Sequence, residues 1–209
     1  MRPASPFRHD DRRPPLRRAA ALVRQALTLP LLGPRVAPFY VRALLTALRE
    51  GDQWALDVAT RPRELAAILR TARGRRPVVE VGTGPGWTAI ALALDDPARE
   101  VVSLDVVAHP QPRRYLRLVA PAVRARVALR DRTGACTGDL RPGLVFIDSS
   151  HERDETVTTF REWAPRLAPG GAVAFHDFGD PAYPGVQEAV RDLGLRGRAR
   201  HSLFVWEGA

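Results

Sequence analysis

Two constellations in this sequence combine residue types that can do chemistry. The first is Glu80-Val81-Gly82-Thr83-Gly84-Pro85-Gly86-Trp87, in which an acid stands two residues ahead of glycines spaced G-x-G-x-G. Glycine is required where backbone must approach a ligand or take a positive φ, and a helix starting behind such a turn offers free N–H groups. A dinucleotide fingerprint would read G-x-G-x-x-G, yet three residues after Gly84 stands Trp87. A doubly negative pyrophosphate is poorly served by a carboxylate at Glu80 beneath the loop, whereas a ligand carrying an ammonium and a sulfonium gains from it. Asp105, nineteen residues after Gly86, has the acceptors to take two hydrogen bonds from ribose hydroxyls. The plainer alternatives are a loop-organising acid at Glu80 and a strand-end residue at Asp105.

The second constellation is Asp148-Ser149-Ser150-His151 together with His176-Asp177. Two carboxylates and two imidazoles in one crevice can hold a hard or borderline divalent cation, or supply a base for a hydroxyl acceptor. His151 is a candidate general base, because an unperturbed imidazole is near neutral at physiological pH; a helix cap is the alternative. Glu152, Asp154 and Glu155 suit the positive end of a helix dipole better than chemistry. Trp54, Trp87, Phe178 and Tyr183 are candidates for an acceptor-pocket wall or for core, with Tyr183 the best placed to touch substrate. Trp163 and Trp206 read as core.

These residues can meet only if particular elements position them. After Arg76 the chain alternates short β-rich runs with helical segments. The runs are 77–81, 100–105, 126–130, 144–148 and 171–177, and helices fit 85–94, 112–123, 153–167 and 185–193. Strands apolar throughout and alternating with helices indicate an α/β fold with a parallel sheet covered on both faces. In such a sheet the ligand crevice lies at the carboxyl ends of the strands beside the switch point, where the glycine turn, Asp105, Asp148, His176 and Asp177 all fall. The segment 131–143 is too broken by Gly and Pro for a full crossover helix, and 198–207 offers one or two closing strands.

Upstream, residues 1–15 read as a mobile basic arm, and 16–76 as a helical extension. Its helices are expected over 16–27, over Pro38–Glu50 stopped by Gly51, and over 61–73 behind Thr60 as N-cap. The extension is expected to act as a lid that shapes the acceptor site and to offer a homodimer contact.

All 32 cationic residues are arginine. Residues 1–76 hold 16 arginines against 6 acids, while 77–209 are close to neutral, with 16 against 17. The single cysteine, Cys136, excludes an internal disulfide and any multi-cysteine zinc site, which fits a cytoplasmic location. No apolar run approaches the roughly 20 residues of a spanning helix, so no membrane span is expected.

The pattern Glu80/Gly82/Gly84/Gly86 with Asp105 resembles class I S-adenosylmethionine-dependent methyltransferases, over about residues 77–206. The resemblance implies a Rossmann-like, doubly wound, mainly parallel seven-stranded sheet in a domain spanning 77–209. It implies S-adenosylmethionine as cofactor, bound by Glu80, Gly82, Thr83, Gly84, Gly86, Trp87, Asp105, Asp131, Arg132 and Asp148. Gly82, Gly84 and Gly86 would approach the methionine part, Asp105 would hold the ribose, and Asp131 and Arg132 would contact the adenine. The string LVFIDSSH…APGGAVAFHDF…PGV is similar to macrocin-type and catechol-type O-methyltransferases. That similarity implies Mg²⁺ or another divalent cation on Asp148, His176 and Asp177, with Asp148, His151 and His176 as catalytic residues.

Two departures stand out: Ser149 replaces the usual Gly, and His176 occupies a position that is a carboxylate in close metal-dependent relatives. The expected reaction is O-methylation of a small molecule, with an N-methyltransferase or a metal-free O-methyltransferase as alternatives. Outside the enzyme class, the alternatives are a cofactor-binding scaffold protein and an RNA-associated protein using the basic N-terminus. Nucleic acid is the weaker partner: no Asn/Asp-Pro-Pro-aromatic tetrapeptide follows the fourth strand, and Cys136 follows Ala135 rather than a proline.

Overall fold

A computed structural model describes residues 27–131 and 138–208. The expected arm and the helix over 16–27, apart from Leu27, lie outside the described residues, as do Arg132 and Cys136.

Five strands are parallel: β1 (Val78–Val81), β2 (Val101–Asp105), β3 (Val127–Asp131), β4 (Leu144–Ile147) and β5 (Ala172–Phe175). Both closing strands form, β6 (Arg198–Arg200) and β7 (Leu203–Glu207), and β7 runs antiparallel to β5. The order β3-β2-β1-β4-β5-β7-β6 is a Rossmann-like, doubly wound, seven-stranded sheet. It reverses between β1 and β4, which sets the ligand crevice at the carboxyl ends of those two strands.

The sheet is buried on both faces, which is why its strands read as continuous apolar runs. Val78, Val101, Leu144, Phe146 and Ala172 pack into one core with the helices α1 (Gly33–Glu50), α3 (Pro62–Thr71) and α4 (Trp87–Asp95). Val79, Val81, Leu104, Val145, Ile147 and Phe175 pack on the other face with α7 (Arg153–Trp163) and α8 (Pro184–Asp192). The described residues also form the short α-helices α2 (Gln53–Val58), α5 (Gln111–Leu116) and α6 (Pro121–Arg124), and 3-10 turns at Leu29–Leu32 and Ala164–Arg166.

Several boundaries differ from the sequence reading. The helix expected from Pro38 begins at Gly33 and carries Pro38 inside it. Its buried face, Val36, Phe39, Tyr40, Ala43 and Ala47, outweighs the hydrogen bond that an internal proline removes. Thr60 is not the N-cap of α3; Arg61 occupies that position. The Thr60 hydroxyl instead pairs with that of Thr88 on α4 at 2.9 Å, and its carbonyl accepts from Tyr40 at 3.1 Å. The helix expected over 112–123 is divided into α5 and α6, with Pro121 at the first position of the second. Helix α2, capped by the Asp52 carboxylate at the Ala55 N–H, was not expected.

Candidate functional site

The glycine turn follows β1 at the switch point, and the structure separates the roles of its residues. Gly82 has φ +100°, and a Cβ there would lie 2.5 Å from the Asp148 carbonyl carbon and nearer still to its oxygen. Glycine is thus required because the backbone leaving β4 crosses this point. Gly84, at φ +50°, has nothing within 4 Å of a Cβ position and faces open space, so it is the glycine exposed to a ligand. Asp105, at the end of β2, binds the turn itself: Oδ2 accepts from the Thr83 and Gly84 N–H groups at 2.9 and 3.3 Å, and Oδ1 from Val107 at 3.0 Å. Oδ2 is thereby filled, and Oδ1 keeps a second lone pair for a hydroxyl.

Beneath the turn, Glu80 is 1% exposed. Its partner comes from the sheet register, which sets Ser103 of β2 opposite it. Ser103 donates to the Glu80 carboxyl and also lies 2.8 Å from the Thr83 hydroxyl. Burial pushes the Glu80 carboxyl well above its ordinary value, against the opposing bond from Ser103. Thr83 therefore points its side chain at the sheet.

Trp87 requires a correction. Its ring is 2% exposed and packs edge-on to Tyr40 and Tyr115, each at 5.2 Å between centroids. Only its backbone, at the start of α4, remains for a cofactor, because that helix is buried all along residues 87–93 and turns this side chain into the core. Asp131 ends β3 and is exposed.

The second constellation does assemble. Asp148 leaves β4, while His176 and Asp177 leave β5. His151 Nε2 lies 3.3 Å from Asp148 Oδ1 and 2.9 Å from Asp177 Oδ2, and His176 Nδ1 lies 3.2 Å from both oxygens. His151 and Asp177 adopt positive φ, 63° and 53°, a conformation that costs a non-glycine residue free energy and that clusters at functional sites. The two imidazoles and two carboxylates offer four ligand atoms within 4.8 Å of one another. Donors bound to one ion at ~2.1 Å stand roughly 3.0–3.4 Å apart in octahedral or tetrahedral geometry. The four nitrogen–oxygen spacings, 2.9 to 3.3 Å, lie close to that range, and His176 Nδ1 is buried without a hydrogen bond. The set therefore fits a divalent cation, and two nitrogens shift its preference from the hardest ions toward borderline ones. With only these residues present, the histidines neutralise the carboxylates. Burial alone would lower His151, but its bonds to Asp148 and Asp177 prevail and raise it to about 9. Burial would raise Asp148 and Asp177, yet the facing histidines hold both below the usual carboxylate range.

Two further residues complete the surroundings. The Tyr183 ring lies against His151, tilted by 32° with 4.4 Å between centroids. Glu64, from α3, stands 3.7 Å from His176 Nε2 and accepts from the Ser202 hydroxyl at 2.6 Å. Glu64 was missed because nothing local marks it: its neighbours in sequence read as an ordinary helix start. The other aromatic candidates lie elsewhere, Trp54 against His109 and Phe178 against Phe204.

Residues 79–178 match the protein-family profile described as a methyltransferase domain, and they carry both constellations. Over that segment, 100 of the 209 residues, the chain is similar to a methyltransferase domain. Solved methyltransferase structures share its fold. A structure from Klebsiella pneumoniae described as an O-methyltransferase is 21% identical, with a TM-score of 0.59, covering 82% of this chain and 90% of that one. The O-methyltransferase TomG from Streptomyces achromogenes, solved with S-adenosylmethionine, is 17% identical with a TM-score of 0.58, covering 78% and 90%. Precorrin-6y C5,15-methyltransferase from Geobacter metallireducens is 17% identical with a TM-score of 0.57, covering 73% and 91%. No curated protein matches the sequence. The methyltransferase fold accommodates different acceptors, so the acceptor must be argued from the site. Among the described residues, no helix is long and apolar enough to cross a membrane.

Proposed function

We propose that this chain is a methyltransferase that transfers the methyl group of S-adenosylmethionine to a hydroxyl oxygen of a small molecule, with the Asp148/His151/His176/Asp177 cluster handling the acceptor. The observation that carries this reading is the convergence of those four side chains at the carboxyl ends of β4 and β5, against the backbone of the glycine turn. In this reading Gly84 admits the methionine end of the cofactor, Glu80 lies beneath its ammonium, Asp105 accepts from the ribose, and Asp131 with Arg132 borders the adenine.

Asp148, His176 and Asp177 would hold a divalent cation, with His151 at its edge. Such an ion lowers the pKa of a bound hydroxyl and orients it. The acceptor oxygen attacks the sulfonium methyl in line: the O–C bond forms as the C–S bond breaks, S-adenosylhomocysteine leaves, and the hydroxyl proton passes to the neutral form of the His151 imidazole. Tyr183 holds the imidazole plane by ring contact. Glu64 brings the helical extension to the rim of the site, which is the sense in which the extension shapes an acceptor pocket. The same extension exposes Val41, Leu45 and Leu48 on α1, the surface on which we place the homodimer contact.

The test is transfer of isotope-labelled methyl to a panel of hydroxyl and amine acceptors, with and without added divalent cation. Label in an ether or ester product supports the reading. Label only in amine products moves the activity to N-methylation. Tight cofactor binding without label in any product leaves a scaffold protein.

A further inference from the structure

The strongest feature outside the described chemistry is a group of arginines at the mouth of the acceptor site. The Ser202–Glu64 hydrogen bond, 2.6 Å long, pins the β6–β7 turn onto the first turn of α3, beside His176. On the helix side, Arg63 precedes Glu64, and Arg70 follows Arg63 by seven residues, two helical turns onward on the same face. On the turn side, Arg200 and His201 precede Ser202, with His201 held at φ 56°. Arg63, Arg73, Arg200 and His201 are exposed and Arg70 is half-buried.

None of these arginines forms an ion pair with a described residue. Arginines elsewhere in the fold do meet acids: Arg75 meets Glu207, Arg76 meets Asp96, Arg114 meets Glu50, and Arg153 meets Asp192. The cations are close enough to act on one another. Arg70 is lowered first by burial and then by Arg200 and Arg73; His201 is lowered first by burial and then by Arg63, Arg200 and Arg70, with Glu64 the acid that opposes them. A cluster of like charges that destabilises itself in this way is relieved by an anion. Guanidinium forks bind phosphate and carboxylate in bidentate fashion.

We propose that the methyl acceptor carries an anionic group, a phosphate ester or a carboxylate, and that Arg63 and Arg200 grip it at the rim while its hydroxyl reaches the cluster behind Glu64. This rests on the methyl-transfer reading above. Arg70 and Arg73 extend the field along α3 and draw the anion toward the mouth of the site.

Isothermal titration of the full chain with inorganic pyrophosphate and, separately, citrate tests it. The variants are R63A/R200A and a control, R161A/R191A, which removes two exposed arginines from the helices on the opposite face of the sheet. Binding of one anion that is about tenfold or more weaker in R63A/R200A and unchanged in the control is the expected result. The anion that behaves so identifies the handle as phosphate or carboxylate. S-adenosylhomocysteine should bind all three proteins alike, which shows that the fold and cofactor pocket are intact. Equal loss in both variants, or no binding of either anion to the wild type at millimolar concentration, overturns the proposal. Arginine-dependent binding of a short RNA with a steep salt dependence, without either anion binding, also overturns it. These outcomes are independent of whether labelled methyl is transferred, so failure here is distinct from failure of the catalytic reading.

Discussion

Replacing Gly82 and Gly84 separately by alanine should give two different phenotypes from one chemical change. At Gly82 the new Cβ would stand 2.5 Å from the Asp148 carbonyl carbon, at φ +100°. A non-bonded Cβ needs more than 3.0 Å, so the end of β1 must shift, where the Asp148 N–H at the end of β4 donates to the Val81 carbonyl at 2.8 Å and the Gly82 N–H donates to the Leu104 carbonyl of β2 at 2.8 Å. Loss of two buried backbone bonds costs about 1 kcal/mol each, and the left-handed backbone about 1–2 kcal/mol more, roughly 3–4 kcal/mol together. For a chain of this length each kcal/mol lowers Tm by about 2–4 °C, which makes the expected fall about 6–16 °C. Gly84→Ala meets no neighbour within 4 Å. It carries the backbone term alone, about 1–2 kcal/mol, and should keep the fold while obstructing the ligand's approach. Differential scanning calorimetry measures the first effect and titration with S-adenosylhomocysteine the second. If both variants lose the same stability, or if Gly84→Ala binds the cofactor as tightly as wild type, the assignment of separate roles to the two glycines is wrong.

The remaining predictions concern charge, chemistry and core. Burial raises the Glu80 carboxyl, so its contribution to stability is present below the ordinary carboxylate range and is lost as pH rises through the folded value. An ammonium beside it lowers that value again, so S-adenosylhomocysteine should bind more tightly as pH rises over that window and release a proton; Glu80→Gln should flatten the dependence, as calorimetry in two buffers reads directly. His151→Ala should slow labelled-methyl transfer by about 10²–10⁴-fold, the usual range for a general base, while cofactor affinity stays unchanged. A parallel loss of cofactor affinity would show instead that His151 shapes the cofactor pocket. Trp87→Ala should lower stability by about 3–5 kcal/mol, because its ring fills the core between Tyr40 and Tyr115; a purely functional loss with unchanged Tm would return Trp87 to the cofactor.

Features written in local pattern could be read without coordinates. Apolar runs alternating with helical segments announced the parallel sheet, since both of its faces must be covered. The glycine spacing marked the turn at the switch point. Asp148, His176 and Asp177 were visible because parallel strands bring their carboxyl ends to one edge, so position along each strand is enough to predict the meeting. Their mutual approach within 4.8 Å follows from that topology.

Contacts between segments distant in sequence were decided by packing. The pairing of Glu80 with Ser103 depends on strand register, which alternation alone does not specify for strands buried on both faces. Thr60 looked like a cap, yet its hydroxyl found Thr88, 28 residues away. Trp87 sat in the glycine motif, yet it was turned inward because helix α4 is buried all along residues 87–93. Glu64 joined the site only when α3 docked beside the β6–β7 turn and Ser202, 138 residues distant, bonded to it. Periodicity and strand-end position carry information along the chain and so reached the sheet, the turn and the cluster of carboxylates and imidazole at the strand ends; which side chains face one another across the fold is set by burial and register, and only folding settles it.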